Sequence, residues 1–427
     1  MKKMGYYRRA IKKKCKLSID TRKNYYPFLR INNMSTLPLI ISDETLRDGE
    51  QQAGLFFPYE TKKTLAKLIR QTGVNQIDIM PAVHETEEHL LKTLVAEGNG
   101  SIMMAATMVG KQFIDQALAC GVERIILFYA VSDRLLLLRD TEVRNLTAPP
   151  EKIEDDNLPN ALVRRVRQNM INKVLENLRY ATSPEIGLKV EFAAEDASRA
   201  DFNFLVECIR SFQPYIQHFV LCDTMGILTP EKTYVWVRDL LEFTDNAALG
   251  VHFHNDLGMA LENTLQAVIA GASMISGTFL GIGERAGNIP LEQVLNGLRW
   301  RFGIEVEGID YEALAQVTNY LDSLGARPAP PYSKAAFRHE SGIHVNGFLR
   351  DPDSYHVFPH ASPEIWFGKC SGASNFQYLF EKQLNQPFSP QEYNRMRDKI
   401  KSFSIQEERC FSPEEIVELF KQGFFNE

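Results

Sequence analysis

The stretch Ile41–Ala53, ISDETLRDGEQQA, decides how the rest of the chain is read. An apolar run, Leu37–Ile41, leads straight into a turn carrying Asp43, Glu44, Arg47, Asp48 and Glu50. A single charged turn is explained as well by solubility as by function. A second cluster changes that balance. Val251–Asp256, VHFHND, also ends an apolar strand, far along the chain. A frame that brings two such strand ends together accounts for both.

The pattern between and around them alternates strand and helix. Candidate strands are Pro38–Ile41, Gln76–Met80, Ser101–Thr107, Arg124–Ala130, Leu188–Ala194, His218–Cys222, Gly250–His254 and Met274–Leu280. Amphipathic helical stretches separate them: Thr61–Thr72, Glu85–Ala96, Gln112–Cys120, Ser198–Phe212, Thr229–Phe243, Leu257–Ala270 and Leu291–Phe302. Ser198 and Thr229 read as N-caps, with Pro230 at the first helical position. Gly121, Gly271 and Gly303 read as C-terminal stops. Strands alternating with helices predict parallel β/α units, and their number and length favour an α/β (β/α)8 TIM barrel over an open doubly wound sheet. The connection Ser132–Gln168 is long. It holds four leucines (Leu135–Leu138), a Pro- and acid-rich run and a basic helix start, and it reads either as a pocket-shaping loop or as a surface insertion.

Three regions follow: a basic leader over 1–33, the barrel over 34–303, and a C-terminal linker and mostly helical lid over 304–427. Ile304–Leu324 reads as helix and Gly325–Tyr332, GARPAPPY, as the linker. The leader has Lys2, Lys3, Arg8, Arg9, Lys12, Lys13, Lys14 and Lys16 against a single acid, Asp20, and reads as an unstructured or misassigned segment ahead of Met34. The chain's 427 residues are 44% hydrophobic, with a net charge of -6. That composition suits a folded domain with a large core and argues against nucleic acid as a partner. No apolar run is long enough to span a membrane. Six cysteines, none in a C-x-x-C pair, suit a reducing cytoplasm rather than a disulfide frame.

In a barrel, active sites lie at the C-terminal ends of the strands. The polar residues there are Asp43, Arg47 and Asp48, then Glu195 and Asp196, Asp223 and Thr224, and His252, His254, Asn255 and Asp256. His252 and His254 are two apart on a strand, so both imidazoles face the interior. Two neutral imidazoles and one carboxylate, Asp48, make a three-ligand site for a divalent ion; a hydrogen-bonded core pair is the alternative. Arg47 suits stabilisation of negative charge on a carbonyl oxygen, or a salt bridge to Glu44 or Glu284. Asn288 suits a weak oxygen ligand or a loop cap.

Together, DETLRDGEQ (Asp43–Gln51), HFHNDLGMA (His252–Ala260), GIGERAGN (Gly281–Asn288) and HESGIH (His339–His344) resemble the metal-dependent TIM-barrel enzymes that condense acyl-CoA with 2-oxo acids: the homocitrate, 2-isopropylmalate and citramalate synthases. The resemblance covers about residues 37–372. It implies acetyl-CoA as co-substrate, a divalent metal (Mg, Mn or Zn) and a homodimer whose lid crosses to the partner's barrel. It places metal ligands on Asp48, His252 and His254, with Asn288 as a weaker contact. Arg47 becomes the carbonyl-polarising residue, Thr224 a contact near the keto-acid carboxylate, and Glu195, His344 and Tyr355 the proton-handling group.

The run GEQQAGLFF (Gly49–Phe57) and the short C-terminus resemble homocitrate synthases, which implies 2-oxoglutarate as acceptor. Three positions depart from the lysine-pathway form. Asp48 stands where that group has Glu. Glu191 stands where an Arg would hold the acceptor's distal carboxylate, which it would repel. Cys370 replaces the His of GKHSG. An apolar pocket, to which the four leucines are candidates to contribute, would instead take 2-oxoisovalerate or pyruvate. The same barrel also supports lyases of 3-hydroxy-3-methylglutaryl-CoA, whose GGCP-type loop has no counterpart here.

Overall fold

The computed structural model describes residues 35–100, 102–140, 160–355, 357–358 and 362–426. The basic leader and the Pro- and acid-rich run of the long connection lie outside the described residues. Eight parallel strands close a barrel: β1 (Ile40–Asp43), β2 (Gln76–Ile79), β3 (Met103–Met108), β4 (Arg124–Ala130), β5 (Lys189–Glu195), β6 (His218–Asp223), β7 (Ala248–Phe253) and β8 (Met274–Gly277). Closure comes where β1 pairs with β8, Ile40 opposite Met274. The alternation of strand side chains then sorts residues by position. Met104, Ala106, Ile126, Val220, Cys222 and Met274 fill the interior, while the outward residues meet the helices.

Glu191, on β5, points to the base of the barrel and not into the acceptor pocket. It accepts from the backbone N–H of His218 at 2.8 Å and pairs with the His218 ring at 2.9 Å and with Arg124 at 3.4 Å. Its charge is therefore neutralised below the core, and the repulsion expected of it does not arise in the pocket.

Local signals explain most element ends. Thr229 accepts from the backbone of Lys232 and Pro230 opens helix Pro230–Leu241. Gly271 and Gly303 end their helices in the left-handed region, at φ 115° and 67°. Ser198 is not a helix cap: it lies in a single 3-10 turn, and the helix begins at Phe202, capped by Asp201. Asp201 wins because its carboxylate reaches the Phe204 N–H at 2.9 Å. Ile304–Val306 is a strand rather than the start of a helix, and pairs in parallel with Ser35–Leu37. Ile304 and Val306 are buried on either side of Glu305, a two-residue period, and the helix starts only at Ala313. The four leucines form a short helix, Asp133–Arg139, capped by Ser132, and all four are buried.

The C-terminal region has its own aromatic core, including Phe367, Phe376, Phe380, Ile400, Phe411 and Ile416. It contacts the barrel through ion pairs. Lys369 lies 2.6 Å from Glu50 and 2.7 Å from Glu87, and Arg134 binds Asp351 at 2.5 Å.

Candidate metal centre and active site

The turn after β1 folds back over the barrel mouth. Arg47 bonds Glu44 at 2.6 Å and Asp48 at 3.0 Å, with Asp78 at 3.7 Å. Burial opposes ionisation of Asp48, but Arg47, His254 and His252 outweigh it and hold its carboxyl well below the usual range. Asn288 donates to the other Asp48 oxygen at 2.5 Å and to the Ile282 carbonyl at 3.1 Å. Gly283 makes that approach possible. A Cβ there would sit 2.0 Å from the Asn288 amide and 2.6 Å from Asp48, at a φ of 146°.

His252 lies 3.8 Å from Asp48, and its ring meets that of His254 edge to face. The Nδ1 of His252 faces the Ser276 hydroxyl at 3.2 Å, and Ser276 in turn donates to Glu44 at 2.8 Å. This chain fixes the ring and leaves its Nε2 directed at Asp48. Burial lowers the pKa of both imidazoles, that of His254 strongly, with Arg285 adding to the effect there. Neutral imidazoles are the form that binds cations. Donor atoms of Asp48, His252 and His254 lie within 4.8 Å of one another, the one such group of three among the described residues. The His254 Nδ1 and Asn288 Oδ1 are buried without partners. A divalent ion fits this donor set, since it takes oxygen and imidazole ligands and would satisfy groups that are costly to leave bare.

A second group adjoins this one: Glu195 and His344 line the same cavity, and Tyr355 lines the neighbouring one. Tyr355 donates to Glu195 at 2.8 Å, and the His344 ring stacks on the Tyr355 ring with centroids 4.1 Å apart. The three residues assigned to proton handling thus meet. Arg139 and Glu284 join them, and neither was singled out from the sequence for this role. Arg139 donates to Glu195 at 2.7 Å and to the Tyr355 oxygen at 3.3 Å. Glu284 lies 3.1 Å from His344. Burial and the Asp48 charge push the Glu284 carboxyl up to about 8. The one sequence signal for Arg139 was a lone cation ending an apolar run. One oxygen of Glu195 and the Nδ1 of His344 remain buried and unpartnered, hence available to a reacting proton. Thr224 lines the cavity, and its hydroxyl accepts from the Asp196 backbone at 2.8 Å.

The cavity itself has a volume of about 110 Å³. Asp48, His252, His254 and Arg47 line it, together with the apolar Met80, Ala106, Ile126, Phe128, Ala193 and Val220. Arg47 is the one arginine or lysine among the described residues of its lining. The four leucines do not reach it: Leu135 and Leu138 line a neighbouring cavity instead.

The family described as HMGL-like matches residues 38–148 and 156–321. The chain is 31% identical to 2-isopropylmalate synthase 2 of Caldanaerobacter subterraneus subsp. tengcongensis, over 90% of this chain and 95% of that protein. It is also 31% identical to homocitrate synthase 1 of Nostoc sp., over 90% and 97%. It is 35% identical to homocitrate synthase AksA of Methanopyrus kandleri, over 74% and 75%. Among solved structures, the HMG-CoA lyase of Brucella melitensis matches with a TM-score of 0.52 at 17% identity, over 68% of this chain and 99% of that one. At that identity the likeness is one of fold. With most of its barrel matched and close relatives along nearly its full length, the chain belongs to the HMGL-like family.

Proposed function

We propose that this protein condenses acetyl-CoA with a 2-oxo acid in a homocitrate-synthase-like reaction. The observation that carries this is that Asp48, His252 and His254 line one cavity together with Glu195 and His344, with Tyr355 bonded to Glu195 and stacked on His344. Asp48, His252 and His254 would hold a divalent cation, with Asn288 Oδ1 nearby. Such a cation supplies Lewis-acid polarisation of the acceptor carbonyl when bound. Arg47 stabilises the negative charge that develops on that oxygen, and Thr224 borders the acceptor carboxylate. The open oxygen of Glu195, held in place by Arg139 and Tyr355, takes a proton from the acetyl methyl group. The methyl carbon bonds to the ketone carbon, and the carbonyl pair becomes an alkoxide that is then protonated. Water cleaves the thioester, leaving a carboxylate and the free thiol of CoA. The assembly is expected to be a cytoplasmic homodimer. No helix among the described residues is long and apolar enough to cross a membrane.

A thiol-release assay with acetyl-CoA, a divalent metal and a panel of 2-oxo acids tests this reading. Release with 2-oxoglutarate supports the homocitrate-like form, and no release with any acceptor rejects the condensation. One observation favours a second acceptor. Apart from Arg47 the described lining carries no lysine or arginine, and Met80, Ala106, Ile126, Phe128, Ala193 and Val220 contribute apolar surface to it, so the cavity suits a 2-oxo acid with an apolar side chain, such as 2-oxoisovalerate. Release confined to that acceptor would select it.

A further inference from the structure

The segment that follows Asp48 is gripped by the C-terminal region at several points. Asp48 directly precedes the short 3-10 helix Gly49–Gln51, so a shift of that turn moves the Asp48 carboxylate. Glu50 lies in the turn and is buried. One of its oxygens lies 2.6 Å from the Lys369 ammonium and accepts from the Phe57 backbone N–H at 2.9 Å. The same ammonium sits over the Phe56 ring, 5.0 Å from its centroid. The Cys410 thiol donates to the Leu55 carbonyl at 3.3 Å. Trp366 covers Gly54 so closely that a Cβ there would meet its ring at 3.2 Å. Gln52 donates to the Arg327 carbonyl at 2.8 Å, and its side-chain oxygen accepts from the Gly283 N–H at 3.4 Å. Gly283 is the glycine that lets Asn288 reach Asp48.

Any apolar face could seat a neighbouring region. Here the seat is the stretch of chain that carries a candidate metal ligand, and the grip includes a buried ion pair. We propose that Lys369 and Glu50 are positioning residues for the metal centre. The hold of the C-terminal region on Gly49–Phe57 fixes the Asp48 carboxylate beside His252 and His254, so metal affinity and seating of that region are coupled. Neither residue is a ligand; both act through the backbone turn that begins at Asp48. Such coupling is reciprocal: an ion held by Asp48 stabilises the seated region by the same factor by which seating tightens the ion. The region also carries His344 and Tyr355, so the coupling ties the proton-handling group to occupancy of the metal group. This inference rests on the metal-binding reading above.

The test uses the full chain and needs no substrate. Metal-free protein is titrated with Mn²⁺ and, separately, with Zn²⁺, and the Kd is read by calorimetry. The variants are Lys369→Met, Lys369→Arg, which keeps the charge, and Trp366→Ala, which loosens the grip without touching the buried ion pair. Lys369→Met should raise the metal Kd about tenfold or more, as expected when a partner that orients a ligand is lost. Trp366→Ala should raise it in the same direction, and Lys369→Arg should recover most of the loss. Metal should also slow amide hydrogen exchange in helix Pro390–Glu407, which contributes no ligand, in the wild type but not in Lys369→Met. A purely structural role would lower stability while leaving the metal Kd and the metal-dependent exchange as they are. An unchanged Kd in folded Lys369→Met overturns the coupling; if that variant does not fold, an unchanged Kd in Trp366→Ala does so. A wild type that binds neither ion rejects the metal reading and the coupling with it, whereas a wild type that binds no more tightly than the variants rejects the coupling alone.

Discussion

Replacing Lys369 with Met tests how the C-terminal region is held over the barrel. Lys369 is one corner of a buried quartet. Its ammonium contacts Glu50 at 2.6 Å and Glu87 at 2.7 Å, while Lys62 contacts Glu50 at 2.5 Å and also Glu87. None of the four is more than 7% exposed at its side chain. The quartet is balanced, two charges of each sign. Met keeps most of the methylene volume but leaves two buried carboxylates on one ammonium. Breaking a buried pair in this way costs about 3–5 kcal/mol. A second route gives a similar size. Burial alone would raise the Glu87 carboxyl, yet Lys369 and Lys62 hold it down from 4.5 to about 2. That corresponds to on the order of 3 kcal/mol favouring its charged form. In the wild type this contribution is present above pH 4.5 and is lost as pH falls toward 2. In Lys369→Met the surplus carboxylate can take up a proton, so the deficit should shrink as pH falls from 7 to 5. Urea unfolding of both proteins across that range measures it. A loss under about 1 kcal/mol at pH 7, or one that does not shrink on acidification, would refute the reasoning. Because the same docking brings His344 and Tyr355 to the mouth, turnover should fall with stability.

Asp48→Asn should weaken metal retention at least tenfold, read as metal content after dialysis, because Asp48 is the one carboxylate in the group of three that could hold an ion. Gly283→Ala should do the same without replacing any of the candidate ligands, since its methyl group would occupy the space of the Asn288 amide and crowd Asp48. Tyr355→Phe should lower kcat about a hundredfold with little change in the KM for the 2-oxo acid, as expected of a proton-handling group. Burial raises Asp43 from 3.8 to about 8. The folded state therefore keeps a proton that the unfolded chain releases above about pH 4. Stability should fall as pH rises from 5 to 8, and Asp43→Asn should flatten part of that slope.

The barrel was legible because its strands and helices are set by local periodicity, and because glycines and capping residues mark many of the helix ends. Where two local signals competed, sequence reading chose wrongly. Ser198 and Asp201 both offer a cap, and the carboxylate's distance to a backbone N–H decided between them. Ile304–Val306 became a strand because Ser35–Leu37, far away in sequence, lies beside it. The direction of Glu191 depends on barrel register: its neighbours Arg124 and His218 belong to other strands.

The site divides in the same way. The spacing of His252 and His254 fixes that both imidazoles face inward, and the charged turn beside Asp48 marks that residue, so the chain's order alone suggested a metal group. The contacts of Arg139 with Glu195 and of Glu284 with His344 came only from three dimensions. Those features are contacts between side chains from separate strands, loops and the lid. No local period encodes which of them meet; the closure of the barrel and the seating of the C-terminal region on it do.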